Sequence, residues 1–161
     1  AKKGIGIIDP ARTRDLEYLE EMLKAANNEE LDLFTSSISI AECVHAEGDY
    51  SQSVQEFFVG VLSSGSMFKL VQDSIFVCEQ ARQLRWKHNI NLKGMDAIHV
   101  ASAIEANCGE FLTWDNGIGS SRNALKTQAL AIHGIRVITP SESLLIPPAY
   151  VHQQGTLPIA N

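Results

Sequence analysis

Short apolar runs alternate with longer amphipathic segments along this chain, and that alternation leaves little choice of architecture. Residues 31–34, 68–71, 111–114 and 134–138 are compact apolar runs of strand length, and between them lie segments of helical periodicity. Strands joined by helical crossovers must run parallel, so an α/β layer fold is expected. At 161 residues with 45% hydrophobic content the chain can bury one core, and it contains no internal repeat. We expect a single domain over residues 1–145, with an extended tail over 146–161 that carries Pro147, Pro148, Gly155 and Pro158.

Each helical segment makes a specific demand. Over 13–26, Leu16, Leu19, Leu23 and Ala26 recur at inward spacing, with Asp15, Glu17, Glu20 and Glu21 forming a solvated acidic face. Thr35, Ser36 and Ser37 offer N-caps to a helix over 38–45 that contains Glu42. Further helices are expected over 54–62, over 75–88 with Asp73 or Ser74 as cap, and over 97–104 with Gly109 as a left-handed terminator. A short helical turn follows Pro140.

Charge and cysteine content narrow the function classes. The net charge of −6 supplies no global field that draws the protein onto nucleic acid or anionic lipid, so any such contact must be local. Cys43, Cys78 and Cys108 show no metal-ligand or redox spacing, and they read as buried, reduced thiols in a cytoplasmic protein. No apolar run approaches the length of a spanning helix, so no membrane partner is expected.

Three carboxylates stand apart from the acidic first helix. Glu42, Asp96 and Asp115 are each embedded in apolar sequence, at a strand end or a helix start. In open parallel sheets ligands bind beyond the carboxyl ends of the strands, and Asp115 directly follows the run 111–114. Clustered carboxylates repel one another, and a hard divalent ion such as Mg²⁺ or Mn²⁺ relieves that conflict while keeping open positions for water and phosphate. Taken singly, each has a plainer reading: Asp96 complements a helix N-terminus, Asp115 begins a turn, and Glu42 lies on a solvent stripe.

The segments Thr35-Ser36-Ser37-Ile38-Ser39-Ile40-Ala41-Glu42, Met95-Asp96-Ala97-Ile98-His99-Val100-Ala101-Ser102-Ala103 and Phe111-Leu112-Thr113-Trp114-Asp115 together resemble the PIN-domain nucleases, including the VapC-type toxins. The closing run Gly134-Ile135-Arg136-Val137-Ile138-Thr139-Pro140 is similar to that family's last strand. The resemblance implies a three-layer α/β fold with a central, mostly parallel sheet flanked by helices. It also implies a Mg²⁺- or Mn²⁺-dependent endoribonuclease with Glu42, Asp96 and Asp115 as metal-site acids and Thr113 as the supporting hydroxyl. RNA as substrate, an antitoxin protein as partner and a homodimer follow from the same resemblance. One element departs from the pattern. The family opens with a strand ending in an aspartate followed by Ser/Thr-Asn, whereas here Asp9 is followed by Pro10-Ala11-Arg12. Either that strand lies upstream of Ala1, or Asp9 stands in its place.

Between residues 82 and 93, Arg82, Arg85, Lys87 and Lys93 accompany Trp86 and His88 with no acid among them. They form a candidate RNA-binding stretch leading into Asp96, with Trp86 available for stacking. The alternative is a set of helix-terminal cations with Trp86 in the core. His99, one turn beyond Asp96, reads as hydrogen-bonded structure rather than as a ligand. A metal-dependent ribonuclease is the leading expectation, and a non-catalytic protein- or RNA-binding module of the same fold is the alternative.

Overall fold

Proline presets its own φ and lacks an N–H, so it suits the first turn of a helix. Helix α1 accordingly begins at Pro10 and runs Pro10–Asn27, earlier than the 13–26 expected from periodicity. The structure is a computed structural model that describes residues 10–43, 52–63, 65, 67–114, 130–131 and 133–151. The inward face of α1 also differs from expectation. Met22, Ala25 and Ala26 are buried together with Asp15 and Glu21, while Leu16 is exposed. Two acids tolerate that face because each has hydrogen-bond partners: Lys24 donates to Glu21 at 2.8 Å, and Asp15 accepts from two groups described below.

Strand β1 covers Phe34–Ser36 and pairs in parallel with β2, Lys69–Val71, in the register Phe34 to Lys69 and Ser36 to Val71. It therefore lies further along the chain than the expected 31–34, and Thr35 and Ser36 belong to the ladder, with the Ser36 hydroxyl also accepting from Ile38 N–H, the first of the next helix, at 3.3 Å. Ser37 precedes α2, Ile38–Glu42, but makes no side-chain cap. Asp73, just past β2, takes the hydroxyls instead: Ser36 donates to Oδ1 and Ser37 to Oδ2, each at 2.9 Å. Helix α3, Gln52–Phe58, passes into a π-helical turn over Val59–Ser63, and its Phe57 is exposed rather than inward-facing.

Helix α4, Ile75–Trp86, is capped by Ser74, whose hydroxyl accepts from Val77 N–H at 3.3 Å. Helix α5, Gly94–Glu105, packs along it and buries Val100, Ala101, Ser102 and Ala103. Both helices stop at an asparagine that enters the left-handed region. Asn89 has φ 52° and Asn107 has φ 52°, so Asn107 rather than the expected Gly109 terminates α5. Gly109 is small for another reason, since a Cβ there would stand 3.2 Å from Leu145 Cδ1.

Strand β3, Glu110–Leu112, pairs in parallel with β4, Arg136–Ile138; β3 begins one residue before the expected run 111–114 and stops short of its end, and β4 is shorter than the run 134–138 that contains it. The core between the α4–α5 pair and these strands comprises Leu84, Ile90, Val100, Ala103, Leu130 and Ile135. The parallel pairing expected from the alternation is thus present, as two two-stranded sheets among the described residues.

Beyond β4, a 3-10 turn over Pro140–Glu142 leads back to α1. Ile146 is buried, and a second turn over Pro148–Tyr150 places the Tyr150 hydroxyl to donate to Glu30 at 2.9 Å and accept from Asn28 at 2.7 Å. Residues 146–151 are therefore docked on the end of α1, and 152–161 lie outside the described residues. The cysteines differ from the expected buried thiols: Cys78 is exposed, and Cys43 and Cys108 are half-buried. Burial pushes both half-buried thiols up, helped at Cys43 by the neighbouring Glu42 carboxylate.

Candidate functional site

A cavity of about 1030 Å³ opens between β1 and β3, and it gathers residues that are distant in sequence. One wall is β1 and α2, contributing Thr35, Ser36, Ser39 and Glu42. A second is α5, which presents Asp96, His99 and Ser102, positions three residues apart that share a helix face. The third runs along β3 to Thr113 and Trp114. Of β2, which lies behind β1, only Val71 reaches the lining. The cavity is thus lined by β1 and β3, one strand from each of the two sheets among the described residues.

The carboxylates converge from different elements. Glu42 is the last residue of α2, one short helix beyond the end of β1. Asp96 sits in the first turn of α5, where the helix dipole favours negative charge. Thr113 follows β3 directly, and its N–H donates to Ile138 C=O at 3.0 Å, which extends the β3–β4 ladder to the cavity rim. Asp9 and Asp115 lie outside the described residues, although Asp115 is next in the chain after Trp114.

His99 joins this group. Its Nε2 stands 2.7 Å from Glu42 Oε2, so the histidine is hydrogen-bonded, as the sequence suggested, but to a candidate metal-site acid. The signal for it was present: positions 96 and 99 share one face of a helix. Asp96 has no hydrogen-bond or ion-pair partner among the described residues.

Asp15 is the residue that sequence reasoning missed. It lies on α1 and is 5% exposed. Its Oδ2 accepts from Trp114 Nε1–H at 2.9 Å and its Oδ1 from Ser141 N–H at 3.0 Å. Burial acts to raise the carboxyl's pKa, but hydrogen bonds from Ser141, Trp114 and Thr139 outweigh it and hold the group below the ordinary aspartate value. No local pattern marks this residue, because its partners are about a hundred positions away in the chain.

The basic stretch lies elsewhere on the surface. Arg82, Arg85, Lys87 and Lys93 are all exposed, and none lines the cavity. Lys93 occupies the N-cap position of α5, one turn before Asp96. Trp86 is 73% exposed, which overturns its placement in the core, and the Arg82 guanidinium lies 4.6 Å from its ring centroid. Arg82 is also ion-paired to Glu79, Arg85 bonds Asn91, and Lys87 bonds Gln83 at 3.1 Å.

The PIN-domain family model matches residues 7–120, well over half of the chain, and its span includes Glu42, Asp96, Thr113 and Asp115. The chain belongs to the PIN-domain family. No curated protein and no solved structure matches it. PIN domains share an α/β fold, are generally nuclease-like and typically depend on a divalent metal. The residues present fit that dependence. Among the described residues no group of three or more His, Cys, Asp or Glu side chains is placed to hold a metal ion. Two hard-oxygen donors, Glu42 and Asp96, line one open cavity, and a site with few protein ligands suits a cation that keeps several of its waters. Among the described residues no helix is long and apolar enough to cross a membrane.

Proposed function

We propose that this PIN domain is a Mg²⁺- or Mn²⁺-dependent endoribonuclease whose metal-site acids are Glu42, Asp96 and Asp115. One observation carries the reading: Glu42 and Asp96, from two separate helices, line the same cavity as the strand end that leads into Asp115.

When bound, a divalent ion supplies an activated water and neutralises charge on the phosphodiester. This chain's residues hold and orient the reactants. Glu42 offers one carboxylate oxygen while His99 fixes the other, which restricts its rotamers. Asp96, without a competing partner among the described residues, has its carboxylate free for an ion or a metal-bound water. Thr113 places a hydroxyl-bearing side chain at the rim. Arg82, Arg85, Lys87 and Lys93 provide a local cationic track for an RNA backbone that the overall charge of −6 does not.

The reading includes an antitoxin protein as partner and a homodimer as the assembled state. Incubation with single-stranded and structured RNA in Mn²⁺ tests the activity, with EDTA and Asp96→Asn as controls. Cleavage that requires Mn²⁺ and Asp96 supports the proposal, and cleavage that survives either control removes this site. Tight RNA or protein binding with no Mn²⁺ dependence and no hydrolysis would favour the non-catalytic interaction module.

A further inference from the structure

Trp114 combines properties that a structural tryptophan does not need. It is 40% exposed, lines the cavity rim beside Thr113 and immediately precedes Asp115. Its indole is nevertheless fixed. The N–H is held at 2.9 Å by the buried carboxylate of Asp15, which is anchored in turn by the Ser141 backbone N–H. The Arg12 guanidinium lies over one face of the ring, 5.5 Å from its centroid, which leaves the opposite face for a ligand. A buried carboxylate spent on orienting an exposed ring gives a rigid aromatic surface at the mouth of a cavity, next to a cation. Unpaired nucleobases stack on such surfaces, and every base has a π-face to offer.

We propose that Trp114 is the stacking platform for an unpaired nucleobase adjacent to the scissile phosphate, with Asp15 as the positioning residue that sets the ring's orientation. Arg12 supplies positive charge beside the phosphate that accompanies that base. The proposal rests on the ribonuclease reading and adds the residues that receive and orient one unpaired base at the site of cleavage. A duplex keeps its bases stacked on one another and would leave Trp114 unused.

Emission from Trp114 tests this without catalysis. In the full chain carrying Trp86→Phe, Trp114 is the only tryptophan. The probe is a labelled single-stranded oligouridylate of about ten nucleotides, within the usual span of single-strand sites, added in EDTA. A matched abasic ribose-phosphate strand serves as the control. We expect the base-containing strand to quench Trp114 emission and the abasic strand to leave it unchanged. By anisotropy of the label, Trp114→Ala should weaken the base-containing strand about tenfold and leave the abasic strand unaffected, in line with the usual contribution of base–aromatic stacking. Trp114→Phe, which keeps a ring, should restore most of that affinity, and Asp15→Asn should fall between the two. If anisotropy reports binding while Trp114 emission does not change, or if both strands lose affinity equally in Trp114→Ala, the stacking role is wrong and the ribonuclease reading survives. If no RNA binds the unsubstituted protein in EDTA, the stacking proposal fails; if none is cleaved in Mn²⁺ either, the ribonuclease reading fails with it.

Discussion

His99 Nε2 stands 2.7 Å from Glu42 Oε2 and ties the first half of α5 to the last residue of α2. Helix α2 is only five residues long and buries none of them, so this contact supplies much of what fixes its end. Outer-shell partners of a metal-site acid commonly influence affinity by tenfold or more. We expect His99→Ala to weaken Mn²⁺ binding by roughly tenfold. Calorimetric titration of the variant against the unsubstituted protein measures it; equal affinities would make the contact purely structural.

Asp96 and Glu42 contribute charge to one cavity without a described basic partner other than His99. Asn keeps the shape of the side chain but removes its charge, and with it the anionic donor. Asp96→Asn should therefore lower Mn²⁺-dependent cleavage by about a hundredfold or more, while the lost charge at the first turn of α5 costs no more than about 1 kcal/mol of stability in EDTA. A larger loss of stability alongside lost activity would indicate misfolding instead.

Asp15 predicts an acid limb in stability. Its folded carboxyl is held below the ordinary aspartate pKa, chiefly by hydrogen bonds that outweigh burial. A depressed folded value means that the stabilisation is fully present above the unfolded pKa and is lost as pH falls through the folded one. Urea unfolding from neutral pH down through the acid range should show that loss. In Asp15→Asn this limb should flatten, and stability at neutral pH should fall by about 2 kcal/mol, typical of hydrogen bonds to a charged group.

Leu84 is fully buried in the cluster that joins α4 and α5 to β4. Leu84→Ala should cost about 2–5 kcal/mol, the range for cavity-forming truncations. Exposed Ile75 and Phe76 on the same helix should each cost well under 1 kcal/mol when truncated, as surface positions usually do. Chemical denaturation of the three variants ranks them, and comparable losses would contradict the packing described.

The cation track predicts a salt dependence. If Arg82, Arg85, Lys87 and Lys93 each meet a phosphate of a single strand, log K should fall with log salt at a slope of about −3. Substituting Lys87 by Gln should reduce the slope by about 0.7. A slope near zero would return these residues to being helix-end cations.

Periodicity and apolar runs placed α1, α4, α5 and both strand pairs within a few residues, because local backbone preference and burial pattern act over short distances. The limits of β1 were not legible. Thr35 and Ser36 are good cap residues and good strand residues alike, and at Ser36 the strand is favoured by Asp73, which sits beyond β2 and receives the hydroxyls of Ser36 and Ser37. Trp86 likewise reads as core in an amphipathic segment, yet it is exposed because Val77 and Leu84 occupy the buried face of α4.

The family segments marked Glu42, Asp96 and Thr113 from the chain alone, since residue type and flanking pattern are properties of sequence. Asp15 shows what they could not mark. By its neighbours it is one more acid on a charged helix, and only folding brings Trp114 and Ser141 against it. Sequence determined the alternating α/β elements and singled out the candidate acids. Tertiary structure decided which acids face solvent, which face the cavity and which one is buried to hold a ring, because those outcomes depend on hydrogen-bond partners supplied from distant parts of the chain.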